Sequence, residues 1–155
     1  MKTEQKLQYK KRLYQHCIEI IQERIDATIQ SMQDAQAAAN NEEKSSAGDK
    51  YETGRAMSHL EKDMHARQLA ANKNELAALL AVDCNSIYTS VKTGSIITCK
   101  ENRFFIAAGL GKVLFENETV YLLSPNAPLA KSMLNKIAGN TISFNNKEMT
   151  IREVF

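Results

Sequence analysis

A chain of 155 residues with 43% apolar side chains has the length of one ordinary domain or two small ones, and it is too apolar to remain disordered. Its formal net charge is +2, and the segment through Val82 balances twelve acidic against twelve basic side chains, which excludes the dominant basic footprint of a protein that binds DNA directly. The N-terminus opens on polar and charged residues and no apolar run approaches the roughly 18 residues that cross a bilayer, so the chain reads as cytoplasmic, with neither leader nor anchor.

The first segment repeats apolar residues at heptad spacing, with Ile18, Ile25, Met32 and Ala39 at one position and Tyr14, Ile21, Thr28 and Ala35 at the other. That is the seam of a coiled coil. A run of about 35 to 40 residues without Gly or Pro makes a helix on the order of 50 to 60 Å long at about 1.5 Å per residue. A second helical segment, from about Lys50 to Val82, carries Met57, Leu60, Met64 and Ala71 on one stripe and Leu69, Leu76 and Leu80 on another. Between them, Lys44-Ser45-Ser46-Ala47-Gly48 supplies residues that end a helix and turn a chain, and so short a connection makes the helices antiparallel. Residues 1–82 therefore read as a helical hairpin with its tip at about 44–52. Towards that tip the seam turns to alanine (Ala35, Ala37, Ala38, Ala39), which buries less apolar area and predicts the weakest part of the pair.

After Asp83 the texture changes to short runs rich in β-branched and aromatic residues, separated by Asn, Gly and charged turns. Residues 83–155 read as a second domain. Its candidate strands are Ser95–Cys99, Arg103–Ala107, Lys112–Phe115, Thr119–Leu123, Thr141–Phe144 and Glu148–Val154, with a helix from about Pro128 to Ile137 whose proline suits a first turn. The fold class expected is α+β: a long antiparallel coiled-coil hairpin, then a small antiparallel sheet carrying one helix. Cys17, Cys84 and Cys99 are odd in number and widely spaced, so they read as reduced and structural.

Few residues suggest chemistry. Asp49 and Glu52, at the start of the second helix, have the spacing of a capping box, in which both carboxylates serve the helix N-terminus. A capping carboxylate still keeps free lone pairs for a metal. Gly109-Leu110-Gly111-Lys112 lacks the full phosphate-loop pattern and reads as a hairpin turn. His16, His59 and His65 offer no spacing suited to a helical metal pair and read as solvated surface residues. Lys10-Lys11-Arg12 with Lys2 and Lys6 makes a basic helix start, read as a solvated charged end, and Ser124 shapes the turn before a helix. No nucleophile, base and orienting group can be assembled, so no enzymatic activity of its own is expected.

The second half contains Ser124-Pro125-Asn126-Ala127-Pro128-Leu129-Ala130-Lys131-Ser132-Met133-Leu134-Asn135-Lys136, then Gly139-Asn140-Thr141-Ile142 and a closing strand Met149 to Val154. These segments resemble the S-P-L-A-K-A-L-L-G-K helix, the G-D-x-V strand and the final strand of the Gre-type bacterial transcript-cleavage factors. Gly48-Asp49-Lys50-Tyr51-Glu52 resembles that family's G-D-L-x-E. The resemblance covers essentially the whole chain and implies a coiled coil followed by an FKBP-like domain. It also implies a hairpin that enters the secondary channel of RNA polymerase, where Asp49 and Glu52 help hold a second Mg²⁺ and orient a water, so that the polymerase cleaves backtracked RNA. Hard Mg²⁺ takes carboxylate oxygen and keeps several waters, so the remaining ligands would come from polymerase and RNA phosphate. The isolated protein, expected to be a monomer that meets RNA only through the polymerase, would hold no metal and cleave nothing.

After Glu52 the family continues N-A-E-Y, whereas this chain reads Thr53-Gly54-Arg55-Ala56; Arg55 lies three residues after Glu52, within pairing reach on a helix. Three functions follow from these readings. Cleavage needs both carboxylates; a regulator that only occupies the channel needs the hairpin and the docking domain; a coiled-coil adaptor unrelated to polymerase needs the seam alone.

Overall fold

A computed structural model describes residues 1–45 and 49–155; the side chains of residues 42–52 lie outside the description. The fold is α+β: a long helix pair precedes a small, mostly antiparallel β domain with one helix. Helix α1 spans Thr3–Ser45 and α2 spans Asp49–Leu80. Then follow β1 (Ile96–Thr98), β2 (Arg103–Ile106), β3 (Gly111–Phe115), β4 (Glu118–Leu123), α3 (Pro128–Met133), β5 (Thr141–Phe144), β6 (Lys147–Thr150) and β7 (Glu153–Val154). By packing, the chain forms two compact units: Ile20–Asn74, and Met1–Glu19 together with Glu75–Phe155.

In the unit Ile20–Asn74 the helices run antiparallel, with Asn72 Nδ2 donating to Thr28 Oγ1 at 3.5 Å. The α1 side follows the expected heptads: Ile21, Ile25 and Thr28 are buried, and Met32, Ala35 and Ala39 are half-buried. Helix α2 departs from its expected stripe. Met57, Leu60 and Met64 are 61%, 70% and 58% exposed, and Ala71 is exposed too. Gly54, Ser58, His65 and Asn72 are half-buried instead, while of the second expected stripe Leu69 and Leu76 are half-buried and Leu80 is 58% exposed. Interaxial distance depends on the side chains at the contact, and the Ala35 and Ala39 face of α1 admits small partners such as Gly54 and Ser58 rather than methionines.

The second unit is built on a five-stranded sheet in the order β3-β4-β2-β1-β7, with a separate β5-β6 hairpin. The sheet is antiparallel as expected, except that β2 pairs with β4 in parallel. Gly109-Leu110-Gly111-Lys112 is therefore not a tight hairpin turn: it carries the chain past the place of β4 to the edge strand β3. The two-residue turns Glu116-Asn117 and Asn145-Asn146 all take positive φ, between 48° and 64°, the mirror-image turn that suits a twisted hairpin. The expected final strand breaks in two, because Ile151 N–H bonds to Asn140 O at 2.9 Å while Arg152 N–H bonds to Thr98 O at 2.8 Å, so the chain changes partners there. Helix α3 stops at Met133 rather than Ile137: Asn135 adopts φ 65°, and its N–H bonds to Val91 O at 2.9 Å.

Both faces of the sheet are covered, which explains the unbroken apolar runs Ile96-Ile97 and Phe104-Phe105-Ile106. One face packs Ile97, Phe104 and Val154 with Ala130 and Met133 of α3 and Ile142 of β5. On the other, the Tyr9 ring of α1 lies 5.6 Å from Phe115 and 6.3 Å from Phe155.

Lys10 of α1 is fully buried, and its Nζ donates to Ser86 O at 2.8 Å and lies 4.7 Å from the Tyr88 ring. Burial, partly offset by Asp83, lowers its pKa from 10.5 to about 8. Below about 8 both folded and unfolded chains hold the proton, so the desolvation of the ammonium is felt in full, and it is relieved as pH rises towards 10.5. The stability of the wild type relative to Lys10→Met is therefore expected to rise between pH 8 and 10.5 in denaturant melts. The comparison cancels the opposite drift from Tyr9 and Cys17, whose pKa values burial raises. A flat difference across that window would contradict the buried-ammonium assignment.

Candidate functional site

The sequence points to the junction of the two long helices. Helix α1 ends at Ser45 and α2 begins at Asp49, so Asp49 and Glu52 both fall in the first turn of α2. Their side chains lie outside the described residues, as does any pairing of Glu52 with Arg55, and of the expected tip at 44–52, residues 46–48 lie wholly outside the description. Carboxylates in a first helical turn are favoured by the N–H groups and dipole there. Gly54 follows as a half-buried residue, and Arg55 is exposed.

The basic start of α1 is only in part the solvated end expected of it: Lys2, Lys11 and Arg12 are exposed, but three of its cations have partners within the chain. Lys10 is buried, Lys6 Nζ lies 2.6 Å from Glu153 Oε1, and Arg12 Nε donates to Glu116 Oε1 at 2.7 Å. The Arg12 guanidinium holds the Glu116 carboxyl below its usual range. These cations tie α1 to the β domain rather than facing a polyanion. The histidines divide similarly. His16 is half-buried with its ring 5.2 Å from that of Phe115, and His65 is half-buried with Nδ1 lacking a hydrogen-bond partner; only His59 is exposed as expected.

Burial pushes the Cys17 thiol up to about 12 and raises that of Cys99, which suppresses the reactive thiolate. All three cysteines are free thiols. Ser124 Oγ accepts the Asn126 N–H at 3.2 Å, a turn-shaping contact. Among the described residues no group of three His, Cys, Asp or Glu side chains is placed to hold a metal, and no helix is long and apolar enough to cross a membrane.

With this geometry in hand, comparison with known proteins gives little. The solved structure of the transcription factor Gfh1 aligns over 88% of this chain and 92% of its own, with 15% sequence identity and a TM-score of 0.38. No family model matches the chain, and no curated protein does.

The unit Ile20–Asn74 also holds a basic row that the apolar periodicity of α2 does not reveal. Arg55, His59 and Lys62 line one side of a groove between its helices, with Ile29, Met32 and Leu69 among the apolar residues. Their i, i+4, i+7 spacing was visible, but the apolar stripe Met57-Leu60-Met64 claimed α2 for a different face.

Proposed function

We propose that this chain is an RNA polymerase-binding elongation factor whose helical hairpin enters the secondary channel and stimulates cleavage of backtracked RNA. The observation that carries the reading is the position of Asp49-x-x-Glu52 in the first turn of α2, immediately after the end of α1. The motif resemblance supports it, as does the order of a helix pair before a β domain that carries a Pro-initiated α3.

Asp49 and Glu52 would present carboxylate oxygens to a Mg²⁺ shared with the polymerase, a donor type that suits this hard cation. Two carboxylates one helical turn apart leave most of its ligand positions to polymerase, RNA phosphate and water, so the chain needs its partner to act. When bound, such an ion supplies an activated water for phosphodiester hydrolysis. The chain's part is to deliver two negative charges on a narrow support and to dock through the β domain.

A second reading, a regulator that occupies the channel without provoking cleavage, is favoured by Thr53 and Gly54 after Glu52. Each costs a helix about 0.5 to 1 kcal/mol relative to alanine. RNA release from a stalled, backtracked complex of the cognate polymerase, with binding measured alongside, separates the two. An adaptor unrelated to polymerase would not bind it at all.

A further inference from the structure

The unit Ile20–Asn74 holds a groove of about 540 Å³ between its two helices. Ile29, Met32 and Leu69 give it an apolar lining, and Ile29 is 37% exposed. Arg55, His59 and Lys62 form the α2 side, and among the described residues no carboxylate lines the groove. Residues at i, i+4 and i+7 stack along one helical flank, so these basic side chains form a row parallel to the trough. Among the described residues, no ion pair engages Arg55 or Lys62.

Two helices share a single seam, so apolar residues on its flank stay open to water unless a third element covers them. A trough of this shape, whose described charged residues are all basic, fits an amphipathic helix of the opposite charge. We propose that the groove seats a helix of a partner protein, with leucine-type side chains against Ile29, Met32 and Leu69 and glutamate or aspartate side chains against Arg55, His59 and Lys62.

A second copy of this chain fits less well. It carries carboxylates at the same spacing, Glu19, Glu23 and Asp26 on α1, but Gln15, Gln22 and Gln30 share that exposed face, and no apolar stripe accompanies them.

The test titrates the full chain into two labelled helical peptides that share a leucine stripe, one flanked by glutamates and the other by lysines, and follows anisotropy. The glutamate peptide is expected to bind at least about tenfold tighter than the lysine peptide, with an affinity that falls as salt is added. The double variant Arg55→Glu, Lys62→Glu is expected to invert the preference and gain the lysine peptide, a gain that misfolding cannot produce. The proposal is overturned by failure of both peptides to bind, by equal affinities, or by an unchanged preference in the double variant. It is equally overturned if self-association occupies the groove or a single-stranded RNA oligonucleotide displaces the glutamate peptide from it.

Discussion

Asp49→Asn and Glu52→Gln are each expected to bind RNA polymerase as the wild type does, yet to lose stimulation of transcript cleavage by about 10- to 100-fold, the usual effect of disturbing a metal's support. Asparagine caps a helix start as well as aspartate, so Asp49→Asn retains the structural service of that position while removing the charge. The same logic applies to Glu52→Gln, since glutamine can close a capping box. A pair serving only the helix would therefore leave cleavage unchanged in both variants. A pair serving a shared Mg²⁺ fails in both, because an amide cannot replace a carboxylate's charge on a hard cation. The rate of RNA release, measured beside polymerase affinity, distinguishes these outcomes.

Phe105→Ala is expected to lower stability by about 3 to 5 kcal/mol, the range for emptying a buried aromatic site. Phe105 is fully buried on β2, the middle strand of the five-stranded sheet. It lies between Leu122 of β4 and Ile96 of β1, and Ile96 exchanges backbone hydrogen bonds with Phe155 at 2.7 and 3.0 Å. These four side chains form one cross-strand row, so the cavity would open at the centre of a packed layer where no loop can collapse into it. Since whole domains are stable by only about 5 to 15 kcal/mol, the loss is a large fraction of the total. Urea melts should show a lower midpoint with an unchanged slope. A loss below about 1 kcal/mol would contradict the central role given to that row.

The architecture was legible where local chemistry and packing agree. The Gly- and Pro-free run, the heptads from Ile21 to Ala39 and the asparagine-rich turn at Asn145-Asn146 each have one strong local cause, and each appears as read. The inner face of α2 was legible only in part: Leu69 and Leu76 are half-buried as read, but periodicity assigns bulky Met57 and Met64 to the seam, where small Gly54 and Ser58 and polar Asn72, bonded to Thr28, stand instead. The parallel β2-β4 pairing was also hidden: strand spacing along the chain suggests neighbours, while β4 enters between β2 and β3 through long-range pairing. The partners of Lys6, Lys10 and Arg12 lie in the second half of the chain, so a basic helix start could not reveal that its charges are used internally. The acidic pair was legible as a motif, and its backbone lies in the first turn of α2.

The most direct test of the polymerase reading is the wild-type protein added to a stalled, backtracked complex of its cognate polymerase in Mg²⁺, with release of the RNA 3′ fragment followed over time. Faster release than from polymerase alone, and none from RNA incubated with the protein without polymerase, is the expected result. Unchanged release at saturating, demonstrated binding would contradict the cleavage role and leave a factor that only occupies the channel.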